Sequence, residues 1–151
     1  MAGFATMETL DPRMIAARPH TPLVLLASPA AALAELLTAC CAFIGARVEP
    51  VLLADLAAAM DREEPIAVVA TFGAAVEAED LVATLAQADA ELPVLLVTEE
   101  AELPRRAVRA RAARCGLRHA SISAGMPQPA ALVSFLVEAG IQRGWVGLLP
   151  R

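Results

Sequence analysis

Three hydroxyl side chains stand where apolar runs come to an end: Ser28 closes TPLVLLAS, Thr71 lies in PIAVVATFGA, and Thr98 closes PVLLVT. A hydroxyl attacks or accepts a group only when a base or a metal ion takes up its proton, and the sequence places no evident activator beside Thr71. Ser28 precedes Pro29 and is read as a helix cap rather than a nucleophile. Thr98 is read as a strand-end threonine that satisfies nearby backbone groups. His20 falls in the N-terminal stretch and His119 in a later apolar run, so each is read as a lone solvated or packed histidine. Cys40, Cys41 and Cys115 lack metal-ligand spacing, and adjacent helical residues diverge by about 100°, so the CC pair is no ready disulfide. All three are expected to be small buried apolar side chains, and no metal or cofactor is expected.

The basic charge is entirely arginine, since the chain contains no lysine. Five arginines, Arg105, Arg106, Arg109, Arg111 and Arg114, crowd ELPRRAVRARAARCG. Arginine forks grip phosphates, which raises nucleic-acid binding as a function. A formal net charge of −5 and an aromatic content of 3% argue against it, because neither an electrostatic footprint nor a stacking platform is present. Without a binding partner the same residues form a solvated helix face.

The elements that must position these residues follow from length and pattern. At 151 residues and 58% hydrophobic, the chain is long enough for one well-buried core. Alanine drives the high hydropathy. The apolar runs are broken within a bilayer span by Glu35, Arg47, Pro127 or Pro129, so no transmembrane helix is expected. The opening MAGFATMETLDPRMIAARPH has acids at Glu8 and Asp11 and does not resemble a signal peptide, so a cytoplasmic location is expected. Residues 1–20 are read as a flexible tail, 21–143 as one domain and 144–151 as a C-terminal tail.

Short apolar runs alternate with stretches of helical period. TPLVLLAS, RVEPVLL, IAVVATF, PVLLVT and the weaker LRHASIS read as strands, with Pro50 arguing that the second lies at an edge. The intervening helices are expected over Ala30 to Ala46, around Asp55 to Glu63, from about Val76, from Pro104 to Cys115, and from Pro129 to Gly144. In the first, Leu33, Leu36, Leu37, Cys40, Phe43 and Ile44 share an inward arc. In the third, Leu81, Leu85 and Ala88 do. Strands each followed by a helix over short connections imply a doubly wound, five-stranded parallel sheet with flanking helices, flavodoxin-like in architecture.

The order and length of these elements, the PVLLVT strand and the turn through MPQP into PAAL resemble the receiver domain of two-component response regulators over about Thr21 to Arg143. The resemblance implies a signalling domain that works through protein partners: a histidine kinase, an output domain or a second copy of itself. In that family an acidic pair after the first strand holds magnesium, and an aspartate after the third accepts phosphate. A serine or threonine follows the fourth, and a lysine precedes the last helix. The corresponding positions here are Ala27 and Ser28, Thr71, Thr98, and the stretch from Ser123 to Gly125. Only Thr98 keeps the family's residue type, and without acids or lysine phosphoryl transfer has nothing to neutralise its charge. The expectation is a pseudo-receiver, not an enzyme, acting independently of phosphorylation. A flavodoxin-like ligand binder or enzyme using the same strand ends is the alternative, and it lacks a glycine-rich phosphate loop after the first strand.

A receiver-like interaction module would use its helix surfaces. Two stripes compete for the core along the last helix: Leu132, Phe135, Leu136 and Ala139 against Val133, Val137 and Ile141. The bulkier first stripe is expected inward. Val133, Val137 and Ile141, beside Ser134 and Glu138 and extended by Trp145, are then an exposed apolar line for homodimer or partner contact, with a docked C-terminal tail as the alternative cover. Arg105, Arg106 and Arg109 on the fourth helix are a separate candidate surface for an acidic partner.

Overall fold

A computed structural model describes residues 21–72, 75–98 and 105–145, without the side chains of 75–79 and 105. The elements run β1 (Leu23–Ala27), α1 (Ala31–Ile44), β2 (Arg47–Pro50), a short 3-10 turn (Leu53–Asp55), α2 (Leu56–Glu63), β3 (Ala67–Phe72), α3 (Ala75–Ala88), β4 (Val94–Thr98), α4 (Arg105–Cys115), β5 (Ala120–Ala124) and α5 (Pro129–Gln142). All strand pairs are parallel, in the order β2-β1-β3-β4-β5. β2 is therefore an edge strand, as Pro50 requires, and the order reverses between β1 and β3.

Every residue of β1 and β4 is buried, because helices cover both faces of the sheet. Alternation divides each strand between two cores. Leu25, Val68 and Leu96 join Leu56, Leu85 and Val108 under α2, α3 and α4. Val24, Leu26, Val69 and Leu95 join Leu33, Leu37, Leu132 and Leu136 under α1 and α5. Helices fall on opposite faces because a right-handed crossover carries the chain across one face or the other according to the direction of the next strand.

Two expectations for the helices and one for a strand need correction. In α1, Phe43 is 46% exposed, while Cys41, outside the expected arc, is buried. α5 packs against α1, so the buried face of α1 is set by that contact as well as by the sheet. In α3, Ala88 is exposed and Val82 takes its place in the core beside Leu81 and Leu85. The second strand stops at Pro50, and Leu52 and Leu53 beyond it are exposed rather than continuing the sheet.

Candidate functional site

The reversal of strand order places the ends of β1 and β3 side by side, with Ala27 in register with Ala70. The next residues along each strand are Ser28 and Thr71, both turned by alternation toward α1. The Thr71 hydroxyl donates a hydrogen bond to Ser28 Oγ at 3.0 Å. Ser28 Oγ also accepts the Ala30 N–H at 3.0 Å, which closes the turn that Pro29 occupies. Ser28 is thus not the helix cap itself: Ala30 stands at that position, without a side-chain cap bond. The hydroxyl secures the approach to the helix instead, because Pro29 intervenes before the chain turns.

Ala27, the residue before Ser28, is only 6% exposed and faces the core under α2, α3 and α4. A charged group there would lie against hydrocarbon. Thr98 ends β4 fully buried, in register with Phe72 on one side and Ala124 on the other. Its carbonyl accepts the N–H of Gly125, and Ser123 Oγ donates to the Gly125 carbonyl at 2.8 Å. Gly125 has φ of 82°, a left-handed conformation that a side chain would strain. The turn after β5 is therefore built around a residue that offers backbone only.

The strand ends bring together Ser28 and Thr71, with Thr98 and Gly125 one and two strands away. These groups donate and accept hydrogen bonds; they carry no charge. His119 sits before β5, at the opposite end of the sheet, with Nε2 3.3 Å from Glu91 and Gln142 Nε2 at 2.9 Å. Among the described residues, no three His, Cys, Asp or Glu side chains converge in a metal-binding group, and no helix is long and apolar enough to cross a membrane. Burial raises the pKa of Cys40, and burial together with the neighbouring Cys40 raises that of Cys41 to about 12. Both behave as small apolar side chains.

The helix surfaces differ from expectation. Leu132, Leu136 and Ala139 face the core, but Phe135 is only half-buried, while Val133 and Val137 are half-buried against the same apolar cluster as α1. Trp145 packs there too, and its backbone N–H donates to the Gly140 carbonyl at 2.8 Å. Of the expected outward line only Ile141, at 63%, is well exposed. The reason is lateral: α1 and α5 share one face of the sheet and lie against each other, so the flank of α5 is partly covered. On α4, Arg106, Arg109 and Arg114 are exposed, Arg111 is half-buried, and the side chain of Arg105 lies outside the described residues.

No protein-family description matches the sequence, and no curated protein matches it. Solved structures do match the fold. One is a candidate pilus assembly-related protein from Burkholderia pseudomallei, with TM-score 0.59 and 23% identity over 81% of this chain and 91% of that one. A second is a CheY-like protein, TadZ, from Pseudomonas aeruginosa, with TM-score 0.59 and 19% identity over 80% of this chain and 100% of that one. A third is NtrX from Brucella abortus, with TM-score 0.57 and 13% identity over 82% of this chain and 28% of that one. The fold is thus a receiver-like, CheY-like version of the flavodoxin-type α/β architecture.

Proposed function

We propose that this chain is a receiver-like signalling module that has given up phosphoryl transfer and acts by binding other proteins. The observation that carries this reading is the 3.0 Å hydrogen bond between Thr71 and Ser28. It joins the two positions at which the receiver resemblance would put a phosphate acceptor and a magnesium-binding acid. One neutral hydroxyl donates to another there, and Ala27 beside them faces the core. A divalent cation needs oxygen ligands that carry negative charge, and phosphoryl transfer needs that cation to neutralise the developing charge. The site supports a fixed conformation better than one switched by a phosphate.

Activity of this kind lives on surfaces. The candidates are the arginines of α4, with Arg106 and Arg109 exposed, and the outer side of α5 at Ile141. The Burkholderia structure, named for pilus assembly, supplies a concrete setting in which such a module would bring components together. Incubation with acetyl phosphate and magnesium, followed by intact-mass measurement, tests the reading. Unchanged mass is expected, and a stable phosphoryl adduct that disappears in Thr71→Val would overturn it.

A further inference from the structure

The two edges of the sheet are built differently. β2 carries Arg47 and Glu49 and ends in Pro50, so an approaching strand meets two charges and a residue with no N–H to offer. β5 reads Ala120-Ser121-Ile122-Ser123-Ala124, without charge or proline. Among the described residues no strand pairs with its outer side. Ser121 and Ala124 are exposed and the other three half-buried. A groove of about 460 Å³ runs along the strand on the α5 side, lined by Ser121, Ser123, Met126, Leu132 and Phe135 among others, so α5 does not close over it.

The hydrogen-bond phase of this edge can be read from its two ends. The Val94 N–H donates to the His119 carbonyl at 3.0 Å, and the Gly125 N–H donates to the Thr98 carbonyl. Residues 119 and 125 therefore turn their main chain toward β4, and by period-two alternation Ser121 and Ser123 do the same. The N–H and C=O groups of Ala120, Ile122 and Ala124 point the other way, to where a sixth strand would lie.

The strand is also a palindrome about Ile122. A two-fold axis perpendicular to the sheet, midway between Ile122 and its copy, sets Ile122 against its own copy, Ala120 against Ala124, and Ser121 against Ser123. Because Ile122 has the outward phase, the isoleucine and alanine pairs are the ones that exchange main-chain hydrogen bonds. The serines fall on the closely spaced pairs that lack them, where small hydroxyl side chains fit and bond across strands. Sequence and phase agree at every position.

We infer that a second copy of this chain adds to β5, antiparallel and centred on Ile122, and joins two five-stranded sheets into one. A foreign strand would require an open edge but no palindrome; self-complementarity under a two-fold axis is the signature of a like partner. The inference rests on the interaction-module reading and names its partner, but it does not depend on Ser28 or Thr71. The same axis places α4 of both copies on one side of the joined sheet, so their arginines repel and salt favours the pair.

Sedimentation equilibrium of the full chain in about 1 M salt, where the screening length is ~3 Å, tests the inference. A concentration-dependent dimer is expected. Ile122→Pro removes an N–H that, among the described residues, has no partner strand on its side, so it should leave the far-ultraviolet circular dichroism in place and weaken dimerisation by about tenfold or more. Ala124→Pro has the same phase and loses less packing, and it reads the same outcome should Ile122→Pro fail to fold. In a Cys115→Ala background, oxidation of Ser121→Cys chains mixed with Ser123→Cys chains should give more disulfide-linked dimer than either alone. A wild type that stays monomeric at high micromolar concentration overturns the inference, as does a dimer indifferent to both prolines or a mixture that cross-links no better than its components. Phosphoryl labelling plays no part in this experiment, so this inference and the preceding reading can fail separately.

Discussion

Arg143, one residue past α5, holds its guanidinium 2.7 Å from the carboxylate of Asp89, one residue past α3. The two helices lie on opposite faces of the sheet, so this ion pair ties the layers together around the ends where the strands begin. Both side chains are under one-third exposed, which limits screening by solvent. Arg143→Ala is expected to lower unfolding free energy by about 0.5–1 kcal/mol in urea titration, with a smaller difference at high salt.

On the proposed receiver-like reading, placing a carboxylate at Thr71 should not by itself create phosphoryl transfer. Thr71→Asp supplies a carboxylate, but Ala27 and Ser28 still offer magnesium no charge, and no lysine exists to assist. Intact mass after acetyl phosphate and magnesium is expected to stay unchanged. Labelling of this single variant would show that another group supplies the cation site.

The cysteines give a prediction with a defined sign. Burial pushes Cys41 from the ordinary 9.0 to about 12, so its thiol stays neutral in the folded chain at pH values where an unfolded thiol ionises. Its contribution to stability is complete below about 9 and is lost as pH rises from there through about 12. Unfolding titrations of wild type and Cys41→Ala across that range should therefore converge as pH increases. At pH 8 native alkylation should modify the half-buried Cys115 ahead of the buried Cys40 and Cys41.

The two faces of α1 can be separated by truncation. Leu37 is fully buried and Phe43 is 46% exposed, although both lie on the arc that helical period marks as inward. Leu37→Ala should cost about 2–5 kcal/mol in chemical unfolding, as for other buried leucines. Phe43→Ala should cost less than about 1 kcal/mol, and a comparable loss at both positions would contradict the observed placement of α1.

Much of the architecture was legible without coordinates. Continuous apolar runs such as LVLLA and VLLVT can be satisfied only between two helical layers, and Pro50 marks an edge because it cannot complete a ladder. Residue identity alone also shows that Ala27, Ser28 and Thr71 carry no charge. These are local properties: period, ring closure and ionisable groups belong to a residue and its neighbours in the chain.

Tertiary structure decided what depends on distance between segments. Ser28 and Thr71 are 43 residues apart, and only the reversal of strand order brings their hydroxyls to 3.0 Å. Helical period could name the competing stripes of α5 but could not show that α1 lies alongside and half-covers Val133 and Val137, leaving Ile141 in the open. The palindrome of β5 was present in the letters, yet it acquired meaning only when strand order made β5 an edge and the β4 ladder turned Ile122 outward. Burial and hydrogen-bond phase arise from packing partners that the chain supplies from remote positions, which is why they could not be read along it.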